Sequence, residues 1–233
     1  PRDSMMTIQS TPVRWRQVVF LCLLTMLGMS TTALLSARAF GQEKKEQEKK
    51  EQEKSDPKAV AIYGDAANFQ NNKLYDIAVE EWERLLKTFP DDPLAKKGQF
   101  YLGICQLQQK QYSKAAKSFD LTVTKYKAFD STEEAYFQLG WCRFTVAAEN
   151  KGDEQTALLA DSIKAFTEGI TKYAKGPFAD NALFFRGEAH YKLGNRDEAI
   201  ASYQQLVDTK PESNMRSNGL YALGVTYEEL EKD

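Results

Sequence analysis

A small residue recurs along this chain at an almost fixed interval. Ala66, Gly103 (after Leu102), Gly140 (after Leu139), Gly187 (after Arg186) and Gly224 (after Leu223) are separated by 37, 37, 47 and 37 residues. Each lies in a stretch with the apolar spacing of a short amphipathic helix, where glycine costs about 1 kcal/mol relative to alanine. Four glycines at one repeat position therefore need a packing reason, and a close helix crossing supplies it. A second small residue follows each of the first four, at Ala78, Ala115, Ser162 and Ala199. Four residues later stand Trp82, Phe119, Phe166 and Tyr203, all large and aromatic. Small against small, with a ring entering the gap, is the interlock of a helix pair. Its recurrence predicts an all-α array in which each pair buries its apolar face only by stacking on its neighbours.

The most regular copy is residues 181–213, NALFFRGEAHYKLGNRDEAIASYQQLVDTKPES. Two short helices flank a tight Gly194-Asn195 turn, and Pro211 closes the unit. The spacing of Gly187, Ala199, Tyr203, Leu206 and Pro211 resembles the tetratricopeptide (TPR) repeat, a helix–turn–helix of about 34 residues. The resemblance covers residues 59–233. It implies a right-handed superhelical solenoid with units starting near 59, 96, 133, 180 and 217, the last incomplete. The residues beyond the minimal repeat follow the proline slots in Phe89-Pro90-Asp91-Asp92-Pro93 and Lys210-Pro211-Glu212-Ser213. Phe-Pro-Asp-Asp followed by Tyr101-Leu102-Gly103 is similar to the repeats of bacterial envelope TPR proteins. Two such groups are the periplasmic partner of the Tol–Pal system and the lipoprotein of the outer-membrane β-barrel assembly machinery. The chain departs from both. Phe20-Leu21 before Cys22 is not a lipobox, and residues 42–58 are too short and too polar for the coiled coil of the Tol–Pal partner.

Residues 1–41 read as a secretory signal. Arg14 and Arg16 precede an apolar run over residues 18–35, and Ala37-Arg38-Ala39 fits a small-x-small cleavage site. The alternative is an uncleaved anchor, because a run of about 18 residues is the short end of what spans a bilayer. With the positive charge before the run, the rest of the chain is exported in either case. The expected location is the periplasm or cell envelope, with membrane contact only through this segment. Residues 42–58, QEKKEQEKKEQEKSDPK, form a charged low-complexity linker, with Pro57 expected to stop any helix within it.

The formal net charge of -2 provides no basic field for nucleic acid. The three cysteines lack metal-ligand spacing and do not make a disulfide framework. Cys105 and Cys142 share one repeat position, expected to be a small buried slot. His190, the single histidine, is expected to pack between helices. Asp91-Asp92 and Glu133-Glu134 read as caps and solvated first turns. With no nucleophile–base set, phosphate loop or ligand cluster, the expected function is non-enzymatic binding of a protein or peptide, without cofactor or metal.

Superposing the units predicts a groove along the first helices. Its fifth positions hold Tyr63, Phe100, Phe137, Phe184 and Tyr221; further along come Ile104 and Trp141, then Phe144 and Tyr191. The ladder is densest at Phe137, Trp141 and Phe144. Trp141→Ala is expected to weaken partner capture with melting nearly intact. Lys and Asn, which clamp chaperone tails in some TPRs, are replaced here by Tyr63 and Ala67, so that activity is not expected. The third unit carries ten extra residues within 145–161, read as a longer helix pair with a polar loop or as a partner-contacting loop. Two other readings stand beside the scaffold: a docking region of a longer protein with an effector domain past residue 233, and self-association through the array end.

Overall fold

The computed structural model describes residues 54–126 and 130–231. The expected signal at 1–41 and most of the charged linker lie outside these residues. Among the described residues there are nine helices: α1 (Pro57–Asn71), α2 (Tyr75–Thr88), α3 (Ala95–Gln108), α4 (Tyr112–Lys125), α5 (Thr132–Glu149), α6 (Gly152–Lys172), α7 (Ala179–Lys192), α8 (Arg196–Thr209) and α9 (Arg216–Leu230). Each packs on the next in sequence, and α5–α7 and α7–α9 also touch. The described residues thus form four helix pairs and one further first helix. None of these helices is long and apolar enough to cross a membrane.

Pro57 begins a helix rather than ending one. It stands at the start of α1, where its missing N–H is not needed, and the Asp56 side chain accepts from the Lys58 N–H at 2.7 Å. Three of the four intra-unit turns are built alike. Lys73, Lys110 and Gly194 take left-handed φ values of 61°, 59° and 80°. The next N–H in each turn donates five residues back: Leu74 to Phe69, Gln111 to Gln106 and Asn195 to His190. This closes the first helix of each unit and reverses the chain.

The interlock is present in every complete unit. A Cβ on Gly103 would come within 2.8 Å of the Phe119 ring, and one on Gly140 within 2.6 Å of the Phe166 ring. Gly187 sits equally hard against Tyr203, and Ala66 shares a fully buried cluster with Trp82. Ser162, standing where other units have alanine, donates to the Gly140 carbonyl at 2.9 Å. A second small position, five residues before each glycine, faces the preceding unit. Gly98 lies under Leu85 and Gly219 under Leu206, while Ala135 and Ala182 fill the same place in α5 and α7. The first helices α3, α5 and α7 therefore each have two close approaches, one to their own second helix and one to the helix before them.

The ten extra residues of the third unit lengthen its helices. α5 has 18 residues and α6 has 21, against 14 in each of α3, α4, α7 and α8. The intervening turn is only Asn150-Lys151, so there is no extended polar loop. The added turns pack inward through Ala147 and Leu159 onto Ala189 of α7.

Candidate functional site

The first helices bring the predicted groove residues onto one face, but their surroundings differ. Tyr63 is half-buried, its ring edge-on to Trp82 at 5.1 Å. Phe100 is only 3% exposed and packs on Phe119, so it belongs to the core and offers no surface to a partner. Ile104 packs, partly buried, against the same core. Phe137 is stacked on Phe178 at 5.6 Å and flanked by Phe166 and Phe185. Phe144 meets Phe185 edge-on at 5.7 Å, and Lys192 lies over its ring. Trp141 is half-buried between two core clusters, edge-on to Tyr112 at 5.5 Å.

The densest part of the ladder is therefore occupied by the protein itself. With that packing, Trp141→Ala is expected to cost about 1–2 kcal/mol of stability, a part of the full cost of deleting a buried ring. Urea unfolding checks this; an unchanged midpoint would return Trp141 to a purely surface role.

At two junctions a ring from the following unit fills the groove. Tyr101 of α3 reaches back to Tyr63 and stacks on Trp82 at 5.6 Å. Phe185, at the same register in α7, reaches back between Phe137 and Phe144. The equivalent residue of α5 is Gln138, and that of α9 is Ala222, whose methyl cannot reach. A cleft of about 550 Å³ is left between α7 and α9. Phe184, Glu188 and Tyr191 line it from α7, and Tyr221, Ala222 and Val225 from α9. Three predicted groove residues, Phe184, Tyr191 and Tyr221, thus come together around open space, and Tyr221 is 76% exposed.

Sequence reading missed the plugging position next to each fifth-position aromatic. The signal was available as Tyr101, Gln138, Phe185 and Ala222 in one register. Glu188 falls on the ladder at the register of Ala67, Ile104, Trp141 and Val225, but the sequence does not single it out as a binding residue, and Tyr203 reads there only as the interlocking ring. Tyr203, fully buried as the interlocking ring, donates its O–H to Glu188 Oε1 at 2.7 Å. Burial, then the Glu188 carboxylate, hold that phenol well above its usual range, so it stays a donor. Tyr191 donates to Glu229, which raises its phenol as well.

The remaining reactive groups are occupied with packing. Burial pushes the Cys105 thiol up to about 11 and the Cys142 thiol up to about 12. Both are free thiols in the small slot, protonated at neutral pH and therefore poor nucleophiles. Burial lowers the His190 pKa, which keeps the imidazole neutral at pH 7. Asp92 caps the turn into α3 by accepting from Leu94 N–H at 2.8 Å, and Glu133 accepts from Phe178 N–H at 2.9 Å across the unit boundary. No group of three His, Cys, Asp or Glu among the described residues is placed to hold a metal. Two clefts of about 520 and 630 Å³ lie among α4, α5 and α6 and meet at the Arg143–Asp120 pair, 3.0 Å apart. Their rims mix acidic and basic side chains, and Lys172 pairs there with Glu168.

The family model for the tetratricopeptide repeat matches residues 57–130 and 156–214, more than half of the chain. The chain is a tetratricopeptide repeat protein. The gap in the match falls on the lengthened α5–α6 hairpin. Several solved TPR structures share the fold of this TPR chain. A crystal structure of MamA is 22% identical over 73% of this chain and 81% of its own, with a TM-score of 0.57. A TPR protein from Parabacteroides merdae is 14% identical over 74% of this chain and 61% of its own, with a TM-score of 0.59. YrrB, described as a TPR protein with an unusual peptide-binding site, is 20% identical over 70% of this chain and 73% of its own, with a TM-score of 0.52. At these identities the likeness is one of fold. No curated protein matches the sequence.

Proposed function

We propose that this TPR array is an exported scaffold of the cell envelope that captures a segment of a partner protein along its first helices, in envelope assembly or maintenance. The α7–α9 cleft is the seat of that segment. The observation that carries the reading is the loss of the plugging ring at Ala222, which leaves Phe184, Tyr191 and Tyr221 around a cavity. Aromatic side chains offer large contact area at low entropic cost and dominate binding hot spots. The peptide-binding site in the description of YrrB supports the same use of the fold. Export rests on the basic residues, apolar run and Ala37-Arg38-Ala39 of the first 41 residues.

Ala222→Phe restores the ring at the plugging register and is expected to close the cleft with folding retained. Pull-down from envelope extract with the full chain should recover proteins that Ala222→Phe and Tyr221→Ala both lose. An unchanged set of captured proteins would refute the cleft as the binding seat. Recovery of the chain in the cytoplasmic fraction of its own cells would refute the envelope location.

A further inference from the structure

We infer that the α7–α9 cleft selects a basic side chain, arginine or lysine, on the segment it binds. This rests on the reading of the cleft as the binding seat and adds the chemistry of what enters it. The central ladder position holds Ala67, Ile104, Trp141 and Val225 in the other units, and a carboxylate, Glu188, only here. Glu188 lies in the cleft with three tyrosines and Phe184 around it. It accepts one O–H, from Tyr203, and forms no ion pair among the described residues.

Among the described residues, no Lys, Arg or His lines the cleft. The nearby cation is Arg196, and it is already committed. Its guanidinium lies 4.0 Å from the Tyr191 ring centroid, pairs with Glu229 at 3.2 Å and donates to the Tyr191 carbonyl. The two carboxylates flanking Tyr191 are thus unequal: Glu229 has its guanidinium and Glu188 has none.

A partly buried carboxylate in a cleft lined by aromatic rings attracts a cation twice over. The ring quadrupoles are negative on their faces, and the carboxylate completes the charge. Guanidinium suits this best, since it is planar, weakly hydrated and stacks on phenol rings. Arg196 on Tyr191 displays that geometry a few ångströms away within the same molecule. An acidic segment meets the reverse situation, burying a like charge beside Glu188.

The test uses the full chain and four pools of blocked, fluorescein-labelled pentapeptides, randomised except for a central Arg, Lys, citrulline or Glu. Citrulline keeps the shape of arginine without its charge. Fluorescence polarisation should show the Arg pool binding about fivefold or more tighter than the citrulline pool, with Lys between them and Glu weakest. In Glu188→Gln the Arg and citrulline pools should converge to within about twofold. The Arg–citrulline comparison is made on the unmodified chain, so it does not depend on how that variant folds. Equal binding of the Arg, Lys and citrulline pools, or a preference that survives in folded Glu188→Gln, overturns the inference. If binding is indifferent to charge yet lost in Ala222→Phe, the cleft stands as the seat and the basic selectivity falls. If no pool binds, both readings fall.

Discussion

Phe166→Ala is expected to lower the stability of the array by about 3–5 kcal/mol, the usual cost of deleting a fully buried ring. Phe166 has no exposed surface, fills the hollow under Gly140 and touches both Phe137 and Phe185. It therefore joins the third unit's own crossing to the ring supplied by the fourth. In an array whose stability is a sum over units and their interfaces, a loss there falls on both sides at once. The expected result is a lower urea midpoint followed by helical circular dichroism, with early unfolding of the units on either side. A loss below about 1 kcal/mol would mean that the central crossing stands without its ring.

The second large effect is a change of sign. Gly140→Ala should destabilise the chain, whereas Gly64→Ala, the same substitution at an exposed position inside α1, should stabilise it. Alanine gains about 1 kcal/mol over glycine inside a helix. At Gly140 the new Cβ would come within 2.6 Å of a ring that cannot yield, and overpacking of that kind costs about 1–3 kcal/mol. The clash exceeds the gain. At Gly64 nothing among the described residues lies within 4 Å of the added atom, so only the gain remains. Melting temperatures of the two variants should shift in opposite directions. Shifts of the same sign would sink the account of Gly140 as a contact point.

The contrast between these glycines also marks what the sequence could and could not reveal. Gly103, Gly140 and Gly187 were legible because glycine in a helix is costly, and a repeated cost points to a repeated contact. The aromatic partners followed from a fixed offset on the second helix. The groove positions were legible too, since 3.6-residue periodicity determines which side chains share a face. Which of those positions are open was not legible from the ladder alone. Phe100 and Trp141 face the same way as Tyr221 by register, yet Phe100 is core and Tyr221 is exposed. The difference comes from a neighbouring helix: Phe119 of α4 covers Phe100, Tyr101 and Phe185 of the following units cover Tyr63 and Phe137, and among the described residues no second helix follows α9 to cover Tyr221. A tertiary contact between helices overrides what one helix's pattern implies. Pro57 departs from expectation for a local reason: proline stops a helix from within but starts one readily at its first turn.

The longer third hairpin has a consequence for how this chain can change. Gly140 is the ninth residue of α5, as Gly103 is of α3 and Gly187 of α7, but Ser162 lies seven residues deeper into α6 than Ala115 lies in α4. All the added length is therefore at the hairpin's tip, beyond the crossing point, and it comes close to whole turns. Growth there leaves every contact toward the neighbouring crossings in phase. One residue inserted instead between Ser162 and Gly187 would rotate the downstream residues of its helix by about 100°. The Asn150-Lys151 tip is accordingly a natural grafting point. A label or epitope carried there would ride on the array without touching either its interlocks or its cleft.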